Sequence, residues 1–275
     1  MDNPLGTSSI FYTEHTVEKW REALGAGFTE VELSVSSALI EKHDNLQKYF
    51  NEAENQYKII REAGLNISSF HLPFGKNFDI SDLNEESAKR IIEMHKNILA
   101  WMAKKQIRMA ILHGSAEPIN RDERKSKLEK SKNSISILSE CANKKGINVA
   151  VEILPRTCLG NCADELLDLI DNGKKAKICL DVNHLLLESH RDFIRKTKSN
   201  IITTHFSDYD GLDEKHWVPG EGIINWKELV ELLKDSGYTG RFVFELQGIA
   251  KSSPKLNRNF SPAELLASFR NACEK

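Results

Sequence analysis

Apolar positions along the chain follow two periods in turn. Short runs rich in β-branched and aromatic residues occur at 9–12 (SIFY), 28–35 (FTEVELSV), 65–72 (LNISSFHL), 107–114 (IRMAILHG), 147–154 (INVAVEIL), 176–182 (AKICLDV), 200–207 (NIITTHFS) and 240–246 (GRFVFEL). Their length and composition predict strands. Between them apolar residues recur every three to four positions, as in TVEKWREALGAG, IIEMHKNILAWMAKK, LEKSKNSISILSECANKKG and WKELVELLKDSGYTG. That spacing predicts helices, with Thr16 as an N-cap. Gly27, Gly64, Gly146, Gly173 and Gly237 then stand where helices must stop before the next strand.

Eight β-α units tile the chain with no linker, low-complexity segment or internal repeat between them. Such alternation predicts a parallel sheet covered by helices. Eight units with no leftover segment favour an α/β fold of the single (β/α)8 TIM barrel type, with an open doubly wound sheet as the alternative. The 275 residues suit one barrel domain over 1–275, since such barrels take about 250 residues.

Composition narrows the class. Hydrophobic residues are 40% and charged residues 28%, which excludes a disordered or collagenous chain. The net charge of −2 gives no global basic field for nucleic acid or an acidic membrane. No apolar run approaches the ~18 residues of a membrane span, and MDNPLGTSSIFY lacks the pattern of a secretory signal. The five cysteines, with Cys158 and Cys162 the one close pair, read as reduced thiols of a cytoplasmic protein.

Ionisable residues fall at the C-terminal ends of the predicted strands: Glu32, His71, His113, Glu152, Asp181, His205 and Glu245, with His184 three residues after Asp181. In a barrel these ends converge on the face that holds the active site. Any one of them alone reads as a satisfied polar residue. Together, buried carboxylates and imidazoles repel one another unless a cation compensates, and a divalent metal is the simplest such cation. His15, His43, His95 and His190 are expected at the surface or in packing, and Cys179 in the core. Arg121, Arg124, Lys125 and Lys127, interleaved with acidic residues, read as a solvated helix face.

The segments HLPFG (71–75), LHGS (112–115), VEILP (151–155), LDVNH (180–184), THFSDYDG (204–211), HWVPGEGIINW (216–226) and FVFEL (242–246), in this order and spacing, resemble the xylose isomerase-like TIM barrels. That superfamily holds sugar (phosphate) isomerases and epimerases and also endonuclease IV nucleases. The resemblance implies one divalent metal (Mn, Mg, Co or Zn) held by Glu152, Asp181, His205 and Glu245, with His184 against substrate oxygens. The epimerase branch often has Arg four residues before the Gly of P-G-x-G, where this chain has His216. Endonuclease IV has a metal-binding His there, further zinc-binding histidines matching His71 and His113, and an Asp where Glu214 stands.

Short predicted βα loops favour a small molecule over abasic DNA, whose nuclease needs phosphate contacts and side chains that fill the gap in the duplex. Phe11, Tyr12, Phe74 and Trp217 near the expected mouth either stack on a sugar ring or belong to the core. The expected activity is therefore metal-dependent isomerisation or epimerisation of a sugar or keto-sugar, phosphorylated or not, through an enediolate held on the metal. Glu152 and Glu245 would move the proton. His71, His113, His184, His216 and Trp217 would bind substrate. A keto-sugar or keto-inositol dehydratase is the first alternative and a zinc-dependent endonuclease IV-like nuclease the second. No membrane or nucleic-acid partner is expected, and homo-oligomerisation stays open.

Overall fold

The computed structural model describes residues 3–41, 46–248 and 259–275; His43 lies outside them. In chain order the elements are β1 (Leu5–Ser8), α1 (Val17–Ala26), β2 (Glu30–Ser34), α2 (Ala38–Glu41), α3 (Leu46–Glu62), β3 (Asn66–His71), α4 (Glu85–Lys104), β4 (Met109–His113) and α5 (Arg124–Asn143). There follow β5 (Asn148–Glu152), α6 (Ala163–Leu169), β6 (Lys177–Asp181), α7 (His190–Thr197), β7 (Ile201–Phe206), α8 (Trp226–Asp235), β8 (Phe242–Phe244) and α9 (Pro262–Glu274). The strands close into a barrel in sequential order, all pairs parallel, with β1 also pairing β8. This is a single (β/α)8 barrel.

Helix ends follow the sequence signals. Thr16, Asn84, Ser189 and Asn225 each accept a backbone N–H three residues on, satisfying donors that a helix start leaves free. Ser261 and Glu264 form a capping box. Gly27 stops α1 at φ 117°, a left-handed backbone that a Cβ disfavours.

Strand alternation sorts the side chains into two cores. Ala110, Leu112, Val149, Val151, Ile178 and Leu180 face outward into the large core shared with the helices. Met109, Ile111, Ala150 and Cys179 face inward and form a small separate cluster in the barrel. The next inward positions along these strands are His113, Glu152 and Asp181, so the apolar plug ends where the ionisable layer begins. Cys179 is core, as expected.

The first strand departs from the sequence reading. SIFY does not form it; Leu5–Ser8 does, and Ser9–Phe11 is a 3-10 turn. Gly6 packs tightly there, since a Cβ would come within 3.2 Å of Glu30 Cβ. Phe11 is buried core against Phe260. Among the described residues no helix is long and apolar enough to cross a membrane.

Candidate metal and substrate site

Strand register brings the ionisable ends together. His113 pairs with Glu152, Glu152 with Cys179, and Asp181 with His205. Ligand atoms of Glu152, Asp181, His205 and Glu245 all lie within 4.8 Å of one another. His205 Nδ1 is 3.0 Å from Glu245 Oε2, 3.4 Å from Glu152 Oε1 and 3.9 Å from Asp181 Oδ2. Despite these approaches, His205 Nδ1 and Asp181 Oδ2 are buried without a hydrogen-bond partner. Buried orphans are costly, and these two converge with carboxylates on one point. Three carboxylates and one imidazole form a donor set that fits a divalent cation.

Glu32 lies below this layer. Its Oε1 is 3.0 Å from His205 Nε2, and its Oε2 accepts the Ser69 hydroxyl at 2.8 Å. Neither Glu32 Oε1 nor His205 Nε2 has a hydrogen-bond partner, so the approach is one of a carboxylate's charge to an imidazole.

Three further histidines are held alike. Nδ1–H donates to the Leu72 carbonyl in His71 (3.0 Å), to the Ile153 carbonyl in His184 (3.0 Å) and to the Glu245 carbonyl in His216 (3.1 Å). In each, Nε2 is the nitrogen left for the site. Those of His71 and His113 both lie 3.2 Å from Glu152 Oε2. That of His184 meets Glu214 Oε2 at 3.1 Å.

Charge balance explains the protonation states. Burial pushes His71 down, but the hydrogen bond and charge of Glu152, with Glu32 and Glu245, lift it to about 9. Burial likewise disfavours charge on His184, yet Asp181, Glu152 and Glu214 raise it well above its ordinary value. Burial lifts Asp181 to about 6; His184 opposes the shift, and Glu152 and Glu245 add to it. Glu152 and Glu245 are held below the carboxylate range: burial works against this, and His205 is the leading cation that overcomes it. Without a metal, protonated imidazoles do the neutralising; a bound cation would displace those protons.

A cavity of about 320 Å³ opens above this layer, lined by His71, His113, Glu152, His184, His216 and Glu245. Asp181 and His205, fully buried, lie outside that lining. Phe74 is 47% exposed and stacks on His113 at 4.4 Å between ring centroids. Trp217, expected at substrate, does not line this cavity. Its backbone forms an isolated antiparallel bridge with Asp208.

Sequence reasoning missed two organisers. Asp208 is buried and accepts N–H groups from Gly220 (2.8 Å), Ile224 (3.2 Å) and the Trp226 indole (2.8 Å), folding the VPGEGIINW loop. Gly222 is required there, because a Cβ would lie 2.1 Å from the Tyr209 carbonyl oxygen. Arg156, at φ 52°, forms ion pairs with Glu117, Asp213 (2.6 Å) and Glu214 (3.0 Å). It ties three βα loops together. Of the basic cluster, Arg124 pairs with Glu165 and Lys127 with Asp79.

Comparison with known proteins follows this geometry. The family described as xylose isomerase-like TIM barrel matches residues 20–270. An uncharacterized protein of Methanocaldococcus jannaschii is 24% identical over 259 residues, 90% of this chain and 85% of that one. A D-psicose 3-epimerase of Agrobacterium fabrum is 32% identical over 117 residues, covering 40% of this chain and 39% of its own. Among solved structures, a D-tagatose 3-epimerase-like protein superposes with a TM-score of 0.74 at 22% identity, covering 98% of each chain. A D-psicose 3-epimerase solved in the presence of D-fructose gives 0.73 at 21%, covering 98% of this chain and 97% of that one.

Proposed function

The chain belongs to the xylose isomerase-like TIM barrel family, and from that premise we propose that it is a divalent-metal-dependent epimerase or isomerase of a sugar or keto-sugar. The observation that carries the reading is the convergence of Glu152, Asp181, His205 and Glu245 beside a 320 Å³ cavity, within the small-molecule range of roughly 300–1,000 Å³. Partial identity to D-psicose 3-epimerases supports the substrate class.

A cation held by those four residues would supply Lewis-acid polarisation of a substrate carbonyl and its neighbouring hydroxyl. Glu152 and Glu245 both border the cavity and are both ionised near neutrality, the state a general base needs. Glu245 has the more accessible side chain, 12% exposed against 1% for Glu152. It takes the proton from the carbon beside the carbonyl and later releases it to solvent, while Glu152 first takes a proton from solvent and then delivers it from the other side. Return to the opposite face epimerises; return to the neighbouring carbon isomerises. Expulsion of a β-hydroxyl instead would give the dehydratase outcome. His184 and His216 both stand at the cavity wall as hydrogen-bond partners for substrate hydroxyls. Turnover of D-fructose or D-psicose in deuterium oxide tests the scheme. Solvent deuterium should enter the product, and quantitative retention of the original hydrogen would overturn the glutamate assignment. Full activity after metal removal would overturn the metal.

One observation favours a second reading. His71, His113 and Glu152 form another group of potential ligands, and His184, Glu214 and His216 a third. Three ions would suit a phosphodiester hydrolase of the endonuclease IV kind. Arg156 argues against filling the third group, because its guanidinium already neutralises Glu214. Three zinc ions per chain together with cleavage of an abasic-site duplex would establish this second reading.

A further inference from the structure

A second cavity, about 700 Å³, opens beside the first on the same barrel face, between the loops after β1, β2 and β3. The two share His71 and Phe74 in their walls. Phe74 is thus a ridge between them, with its ring against His71 and His113.

The second cavity has the chemistry of a polyol site. Thr13, Ser34, Gln56 and Gln247 line it, together with Ser9, whose hydroxyl is bonded to the Ser34 backbone. Gln56 is 5% exposed, and its Nε2–H donates to Glu52 Oε1 at 2.8 Å. That bond fixes the amide and leaves Oε1 as a buried acceptor without a donor. His15 Nδ1 is also buried and unpartnered, its ring stacked on Trp20 at 5.9 Å. Such orphans demand a partner, and a vicinal diol offers donors and acceptors together. Among the described residues no lysine or arginine lines the cavity, and Glu52 is its carboxylate. The described lining thus matches a neutral polyol better than a phosphate.

Resting on the epimerase reading above, we propose that the substrate is a glycoside. The reacting ketose occupies the 320 Å³ cavity, a neutral second sugar unit occupies the 700 Å³ cavity, and Phe74 packs against the linkage between them. Aromatic faces suit the C–H surface of sugars, and the polar groups fix orientation.

Binding to the manganese-loaded protein tests this by calorimetry with three probes: D-fructose, D-fructose 6-phosphate and isomaltulose, a fructose bearing a neutral glucosyl unit on its 6-hydroxyl. Isomaltulose should bind at least about tenfold more tightly than D-fructose, a difference worth about 1.4 kcal/mol. Thr13→Trp, at an exposed position, and Gln56→Leu should each bring that ratio close to one. Equal affinity for the two sugars, strongest binding of the phosphate, or a ratio unmoved by both variants overturns the proposal. Deuterium exchange run on the same samples separates the two readings. Preferred isomaltulose binding with no exchange into any sugar would overturn the epimerase reading and leave the second subsite standing.

Discussion

At the scale of the residue, Glu245 offers the sharpest change. Its Oε2 lies 3.0 Å from His205 Nδ1, so Glu245→Gln removes one of the converging charges at constant size. We expect at least a tenfold loss of Mn²⁺ affinity by titration, loss of turnover, and a far-ultraviolet spectrum unchanged from the parent. Retained affinity would remove Glu245 from the ligand set. Such residues were legible in the sequence because each is a charge at the end of an apolar strand, where burial without a reason is costly. Arg156 was not. Its loop carries no periodic signal, and its acidic partners stand 39, 57 and 58 residues away, brought near only by barrel closure. Trp217 belongs to the loop after β7; the bridge between its backbone and Asp208 is another feature that no local pattern announces.

At the scale of the element, seven strands were legible because barrel strands buried on both faces read as continuous apolar runs. The first was displaced because its four residues, LGTS, hold a glycine and two small hydroxyl residues, while the apolar SIFY beside it packs as a turn. The loop from Asp208 to Trp226 shows the converse: the PGEG motif was visible, but its buried organiser Asp208 was not. Gly222→Ala would drive a methyl into the Tyr209 carbonyl and the Asp208 carboxylate. We expect a loss of about 1–3 kcal/mol in urea unfolding, the range for overpacking. Weaker substrate binding should accompany it through displaced His216.

A helix supplies a pH prediction clear of the metal cluster. His95 on α4 is fully buried, with Nδ1 and Nε2 facing the carbonyls of Ile91 and Pro73 at 2.8 and 3.3 Å. Burial pushes its pKa down, against those two carbonyls, so just below pH 6.5 the unfolded chain binds more proton than the fold does. Its contribution is therefore present above about pH 6.5 and is lost as pH falls, by at most about 1.4 kcal/mol per unit. His95→Gln should flatten the acid limb of stability against pH between 5 and 6.5 by up to that slope. A parallel limb would show that His95 is protonated in the fold.

At the scale of the whole molecule, closure of the barrel assembles a charge pattern that no single element holds. Glu152 belongs to both the four-residue ligand group and the His71–His113 group, while the His184–Glu214–His216 group is braced by Arg156 across the loops after β4, β5 and β7. A dication held by His184, Glu214 and His216 would sit near that guanidinium. At roughly 6 Å and an effective dielectric of about 20, their repulsion is of order 5 kcal/mol before solvent screens the part-exposed side chain. Arg156 thus supplies positive charge where a third ion would otherwise bring it, in keeping with the neutral sugar substrate proposed above. The prediction concerns metal count. Zinc titration of the parent followed by elemental analysis should leave the third group unfilled, while Arg156→Met should bind one further ion per chain. Removing the guanidinium leaves Glu214 with His184 as its remaining partner, so the added ion should also raise the melting temperature of the variant more than that of the parent. Three ions in the parent, or no gain in the variant, would mean that the guanidinium does not govern occupancy and would return weight to the hydrolase reading.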